Sequence, residues 1–202
     1  MVLTEQQNDS ISELINIAFA RTGAALSDLT GQRVLLSPPS VSMHKTSELA
    51  SALAQFIPGE VASIHQVFAG PVAGDALLLL NYSGAMELTN LLVDEPISTG
   101  YLDESAREVL TEVGNILLNA CLGMFGNLLH VHVSFSVPRL HLESLDHLIS
   151  ELITDEQRYA LVVATAFQIR DSRVSGFLVM ALSVASLDRL LHEVDDWERR
   201  QV

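Results

Sequence analysis

Cysteine is almost absent from this chain of 202 residues, in which Cys121 is the only one. A lone cysteine excludes an internal disulfide and a cysteine-based metal cluster, and it is typical of a reducing compartment. The longest apolar runs, such as 76–80 and 177–182, are far shorter than the roughly 20 residues that a membrane-spanning helix needs. The first ten residues are polar and do not resemble a secretory signal. We therefore expect a soluble, cytoplasmic protein.

Basic residues are also scarce. The chain has 11 Lys plus Arg against 25 Asp plus Glu, which gives a formal net charge of -14. Such a surface repels phosphate backbones, and the pair Arg199–Arg200 is too short to form a basic patch, so we do not expect nucleic-acid binding. Hydrophobic residues make up 49% of the chain and charged residues 18%, which favours a folded core over disorder.

A short motif occurs twice in the chain. Glu13-Leu14-Ile15-Asn16 is followed by Pro39, and Glu112-Val113-Gly114-Asn115 is followed by Pro138. The differences 112 − 13, 115 − 16 and 138 − 39 all equal 99. Segments 47–53 and 146–152 align at the same offset, whereas the runs 77–80 and 177–180 align only after insertion of one residue. The pattern indicates an internal duplication.

Each half is predicted to contain the same elements in the same order. The predicted elements are long helices at about 8–30 and 104–126, ending near Gly31 and Gly126; strands at about 32–42 and 129–137; a short helix; paired strands at about 60–69 and 75–82, and at 158–168 and 174–183; and closing helices capped by Ser83 and Ser186. We predict one α+β domain over 1–202, made of repeats at about 1–98 and 99–202. Its two long motif helices should pack on a shared, mainly antiparallel β-sheet with pseudo-two-fold symmetry.

Helical periodicity predicts which side of each long helix faces solvent. On the first helix the predicted outward residues are Asp9, Glu13, Asn16, Ala20 and Gly23. The predicted inward residues are Ile11, Leu14, Ala18, Thr22, Ala25, Leu26 and Leu29. On the second helix the predicted outward residues are Glu108, Glu112, Asn115 and Asn119, and the inward ones are Leu110, Val113, Leu117, Cys121 and Met124.

Asparagine has poor helix propensity, so an outward asparagine at matching places in both helices is hard to explain by stability. A single Glu-x-x-Asn on an exposed helix is usually plain solvated surface, and a duplicated one can be inherited without any function. The prolines at the same spacing in both copies favour a functional motif.

Asp9-x-x-x-Glu13-x-x-Asn16, followed after 22 residues by Pro39, resembles the signature of the CheC/CheX/FliY chemotaxis phosphatases. The second copy, Glu112-Val113-Gly114-Asn115-Ile116-Leu117 with Pro138, matches the same signature. The resemblance covers nearly the whole chain, and two such halves in about 200 residues are the CheC arrangement. Glu108, at the place of Asp9, departs from the Asp or Ser that the family often has there.

The resemblance implies hydrolysis of the aspartyl phosphate on a CheY-like response regulator. Asn16 and Asn115 would orient the attacking water, and Glu13 and Glu112 would contact a lysine of the regulator. Asp9, Ala20, Glu108 and Asn119 would belong to the surface that binds the partner. The resemblance implies no cofactor of the chain's own, because the magnesium ion would be bound by the regulator. The family sometimes binds the receptor deamidase CheD.

Other interpretations stay open at this point. His130 and His132 lie at i and i+2 of a predicted strand, but further zinc ligands are not obvious nearby, so an ordinary strand face is favoured. Cys121 lies on an apolar helix stripe and is interpreted as a small core residue. A charged C-terminal helix over 187–200 should pack on the body. The alternative function is a non-catalytic adaptor that binds a response regulator or another chemotaxis or flagellar component.

Overall fold

The computed structural model describes residues 3–92, 101–128, 132–152 and 158–199. The helices in this part of the chain are α1 (Glu5–Thr30), α2 (Thr46–Ala54), α3 (Tyr82–Leu92), α4 (Glu104–Leu128), α5 (Leu145–Leu152) and α6 (Val184–Arg199). The strands are β1 (Val34–Leu36), β2 (Ser40–Lys45), β3 (Glu60–Ala69), β4 (Gly74–Asn81), β5 (Ser134–Phe135), β6 (Arg139–Ser144), β7 (Arg158–Ile169) and β8 (Ser172–Ser183).

All eight strands join one curled antiparallel sheet in the order β1-β7-β8-β4-β3-β5, with β2 also on β7 and β6 also on β3. The side chains of each strand point alternately to the two faces of the sheet. Both faces carry buried apolar side chains, and helices cover both faces. The larger core joins one face to α1, α3, α4 and α6. The smaller core joins the other face to α2 and α5. The predicted α+β fold, with long helices on a shared antiparallel sheet, is confirmed.

The register of the sheet repeats at the predicted offset. Ser40 pairs with Ala164. Their counterparts in the other repeat, Arg139 for Ser40 and His65 for Ala164, are each 99 residues away and also pair with each other. The first strands of each half therefore pair with the central strands of the other half. At the centre of the sheet Leu78 faces Leu178, in agreement with the one-residue insertion between the halves. The predicted repeat boundary near residue 98 lies outside the described residues.

Several predicted element boundaries are wrong. The strand predicted over 32–42 is two strands, because Pro38 and Pro39 cannot donate to a ladder and interrupt it. The strand predicted over 129–137 is reduced, within the described residues, to Ser134–Phe135, again before a proline. Gly126 does not end its helix, which continues to Leu128. Gly31, by contrast, ends α1 in the left-handed conformation, with φ of 66°.

The predicted caps of the closing helices are also wrong. Ser83 and Ser186 lie inside the first turns, and the capping side chains come from the last residues of the preceding strands. The side chain of Asn81 accepts a hydrogen bond from the backbone N–H of Gly84 at 2.6 Å. Ser183 Oγ accepts from the N–H of Ser186 at 3.2 Å. Both bonds have the spacing of an N-cap to its third helical residue.

Candidate functional site

The two motif helices are fixed at their N-termini by local hydrogen bonds. Thr4 and Gln7 form a reciprocal capping box at the start of α1. At the start of α4, Asp103 Oδ1 accepts from the backbone N–H of Ala106 at 2.9 Å. The two helices pack against each other over the sheet. The capped and packed helices are thus rigid supports for the motif residues.

The first motif faces solvent. Glu13 and Asn16 are exposed on α1, as are Asp9 and Ala20. Within the described part of the chain, no hydrogen bond engages the carboxamide of Asn16. Asn16 lies at one end of a groove of about 460 Å³ between α1 and β1. The groove is lined by Asn16, Phe19, Ala20, Gly23, Ala24, Ser27, Arg33, Val34, Leu35 and Leu36.

The second motif is partly embedded in a hydrogen-bonded network. Glu108 and Glu112 are exposed, but Asn115 and Asn119 are half-buried, which corrects their predicted fully outward position. Asn119 Nδ2 donates to Asn115 Oδ1 at 2.7 Å. Asn119 Oδ1 accepts from Gln66 Nε2 on β3 at 3.2 Å. The physical reason for the half-burial is therefore contact with the sheet, which periodicity along the helix does not show.

The structure gives the motif prolines a local role. Pro39 and Pro138 are each the last residue of a three-residue break between two strands, and the carbonyl group of the first residue of that break accepts a side-chain hydrogen bond. Ser37 O accepts from Thr165 Oγ1 at 3.2 Å, and Ser136 O accepts from Gln66 Nε2 at 2.8 Å. Each proline thus ends the break whose first residue offers its carbonyl oxygen to a side chain of a long strand, β7 in one case and β3 in the other.

The predicted solvent face of α1 is partly wrong towards its C-terminal end. Gly23 is buried, and a Cβ atom there would lie 3.0 Å from the carbonyl oxygen of Val34. Because the helix rests on β1 at Gly23, Ala25 and Leu29 on its other side are exposed, and the exposed fraction of Leu29 is 59%. The five inward residues predicted for α4 are all buried.

Exposed apolar side chains surround the strand break beside the second motif. Val137 is 81% exposed and Phe135 is 38% exposed. Ser136 lies between them in the chain, and its N–H bonds to the carbonyl oxygen of Val67 at 2.9 Å, which holds this segment against β3. Apolar side chains beside polar motif residues are typical of a surface that docks another protein.

The remaining sequence candidates lie elsewhere. Cys121 is fully buried, and burial raises the pKa of its thiol to about 12, so it is not a nucleophile. His132 is exposed, and its predicted partner His130 lies outside the described residues.

Glu143, His147 and Glu151 form a group on the α5 side of the sheet that no sequence motif indicates. A hydrogen bond to Glu143, helped by the charge of Glu151, raises the pKa of His147. All three belong to β6 and α5, on the opposite side of the sheet from the motif helices.

No protein-family profile matches the chain. The chain is 24% identical over 199 residues to the CheY-P phosphatase CheC of Bacillus subtilis (strain 168), covering 93% of each chain. It is 23% identical over 183 residues to the flagellar motor switch phosphatase FliY of the same organism. That alignment covers 89% of this chain but only 47% of FliY, so the chain spans about half the length of that relative.

Two groups of solved structures share the fold. FliY of Thermotoga maritima aligns with a TM-score of 0.79 at 19% identity, covering 97% of this chain and 99% of that one. The FliM middle domain of H. pylori aligns with a TM-score of 0.69 at 14% identity, covering 95% and 99%. The predicted resemblance to CheC-like and FliY-like proteins is confirmed. None of the described helices has the length and apolarity to cross a bilayer.

Proposed function

We propose that this protein is a phosphatase that hydrolyses the aspartyl phosphate of a CheY-like response regulator. The observation that carries the proposal is the presentation of two equivalent Glu-x-x-Asn motifs on accessible faces of two equivalent helices. The names of the sequence relatives, CheC and FliY phosphatases, support the same reaction. A folded protein substrate needs such a protruding helix face more than it needs a deep cleft.

The chemistry of the motif fits phosphoryl transfer. This reaction depends mainly on positioning and on electrostatic stabilisation, and an amide can hold a water molecule in line with the phosphorus atom. An amide does not titrate usefully, so Asn16 and Asn115 act by orienting the water and not as general bases. Glu13 and Glu112, one helical turn earlier and exposed, are placed to contact a cation of the regulator. The regulator binds the magnesium ion in this scheme.

The acidic surface bears on how the two proteins meet. A net charge of -14 repels an acidic regulator at long range, so recognition must depend on short-range contacts. The apolar side chains of Phe135 and Val137 supply such contacts beside the second motif. The proposed function places the protein in the cytoplasm with its regulator. Binding of CheD stays a prediction from the resemblance.

Multiple-turnover release of phosphate from a phosphorylated CheY-like regulator with Mg²⁺ tests the proposal. We expect catalytic amounts of the protein to accelerate release. The double variant Asn16→Ala, Asn115→Ala should lose about 100-fold of that acceleration, the magnitude typical of removing a group that acts on the transition state. Asn127→Ala is the matched control, because Asn127 is an exposed asparagine of α4 outside the motif. An unchanged rate in the double variant would show that the assignment is wrong.

The alternative function is a non-catalytic adaptor, and the fold shared with the FliM middle domain favours it as second candidate. An adaptor binds the regulator through the same helix faces without turnover. In the same assay it would affect at most one molecule of phosphorylated regulator per binding site. Accelerated release of many molecules of phosphate per molecule of this protein excludes the adaptor.

A further inference from the structure

The second motif contains a chain of amide groups that connects the helix surface to the sheet. Asn115 Oδ1 accepts from Asn119 Nδ2 at 2.7 Å, and Asn119 Oδ1 accepts from Gln66 Nε2 at 3.2 Å. Gln66 Nε2 also donates to the backbone carbonyl of Ser136 at 2.8 Å. We propose that Asn119 and Gln66 are positioning residues, which fix the direction of the Asn115 carboxamide for the reaction. This inference rests on the proposed phosphatase function.

The backbone carbonyl sets the direction of the whole chain of amides. A carbonyl oxygen only accepts, so Gln66 must turn its NH₂ group towards Ser136. The second hydrogen of that NH₂ group requires an acceptor, so Asn119 must turn Oδ1 towards Gln66. Asn119 then presents Nδ2 to Asn115, whose Oδ1 must face it. The NH₂ group of Asn115 is left as the end available to a bound phosphoryl group or water.

Folding stability does not explain the glutamine. Gln66 is only 2% exposed, and its Oε1 atom is buried without a hydrogen-bond partner in the described part of the chain. A buried acceptor without a partner lowers stability, and an apolar residue of similar size would avoid this. Two donated hydrogen bonds that orient Asn119 account for a glutamine at this position.

The first motif lacks this chain of amides. At the places of Asn119 and Gln66 the first site has Ala20, from the first repeat, and Thr165, from β7 of the second repeat. Thr165 still bonds to its backbone carbonyl, that of Ser37, but Ala20 has no group that connects it to Asn16. The carboxamide of Asn16 is therefore free to rotate, whereas that of Asn115 is held. The two sites differ in preorganisation, and the second site has the higher turnover.

The kinetic test uses variants that retain one site. In an Asn16→Ala background, we expect Asn119→Ala to lower kcat by about 10- to 100-fold, because a misplaced reacting group costs up to about 100-fold. The KM for the phosphorylated regulator should change much less than kcat, since Glu108, Glu112 and Asn115 of the docking face are retained. Asn127→Ala in the same Asn16→Ala background is the matched control and should leave kcat unchanged, because Asn127 lies outside the motif. Equal kcat with and without Asn119 in the first background would overturn the inference.

A substitution of the same shape tests the direction of the amide. Aspartate at position 119 can accept from Gln66 but cannot donate to Asn115, so it must accept from Asn115 Nδ2 and turn that carboxamide round. In the Asn16→Ala background we expect Asn119→Asp to lower kcat as Asn119→Ala does, although the side chain fills the same space. Full retention of kcat by Asn119→Asp would contradict the proposed direction.

A measurement independent of catalysis separates this inference from the proposed function. Nitrogen-15 relaxation of the side-chain amides should show an ordered Asn115 and a mobile Asn16, and Asn119→Ala should make Asn115 as mobile as Asn16. Equal mobility of both in the unsubstituted protein would refute the positioning role, whatever the phosphatase activity. An ordered Asn115 in a protein that releases no phosphate would instead refute the proposed function, and the kinetic role with it.

Discussion

Gly114, the residue before the second motif asparagine, should not tolerate even a methyl group. A Cβ atom there would lie 2.5 Å from Cγ2 and 2.7 Å from Cβ of Ile64 on β3. Carbon atoms in contact prefer about 3.5–4.0 Å, so the side chain would overlap by roughly 1 Å. Ile64 is fully buried and branched at Cβ, so its near atoms cannot rotate away. The helix or the strand would have to move.

Gly123 on the same helix supplies the matched control. A Cβ atom there meets no atom within 4 Å. Replacement of a helical glycine by alanine raises helix propensity by about 1 kcal/mol, and this gain applies to both positions. Overpacking of a core costs about 1–3 kcal/mol, and this cost applies to Gly114 alone. We expect Gly123→Ala to raise the free energy of unfolding and Gly114→Ala to lower it.

Urea unfolding of the two variants measures this difference directly. The expected gap between their free energies of unfolding is about 1–3 kcal/mol, because the propensity gain cancels in the comparison. In thermal unfolding, each kcal/mol of difference in the free energy of unfolding shifts the Tm by about 2–4 °C for a chain of this size. Ile64→Ala should reduce the penalty of Gly114→Ala, whereas Ile64→Val, which keeps the clashing atoms, should not. Equal stability of the two alanine variants would refute the close approach of α4 to β3.

Three further predictions concern a helix cap and two titratable groups. Asn81→Ala should lower the free energy of unfolding by about 1 kcal/mol, because it removes the cap of α3; Ser83→Ala, inside the helix, is the control and should cost less. His147, with an ordinary pKa of 6.5, should titrate above that value by NMR, and Glu143→Gln should lower its pKa again. Since the folded state raises this pKa, its contribution to stability is complete below the unfolded value and is lost as pH rises through the folded value; a titration unaffected by Glu143→Gln would contradict this. Cys121 should react with iodoacetamide near neutral pH only after unfolding, and rapid labelling of the native protein would contradict its burial.

Much of the fold follows from patterns that are local in sequence. The long helices were predictable because their apolar residues repeat at the helical period, and the paired strands because each is a short apolar run between turn residues. Which side of the first helix faces solvent was harder to predict. Ala25 and Leu29 continue the apolar stripe, but Gly23 rests on β1 and turns them to solvent, and the contact with the strand is absent from the helix sequence.

The amino-acid sequence by itself determined the duplication, the two Glu-x-x-Asn motifs and the helices that carry them, because these depend on spacing along one chain. Only the tertiary structure decided that the halves exchange strands and that Gln66, 53 residues before Asn119, lies beneath it. Such contacts depend on which strand lies under which helix, and no local period encodes that. The difference between a held Asn115 and a free Asn16 is therefore a property of the folded sheet.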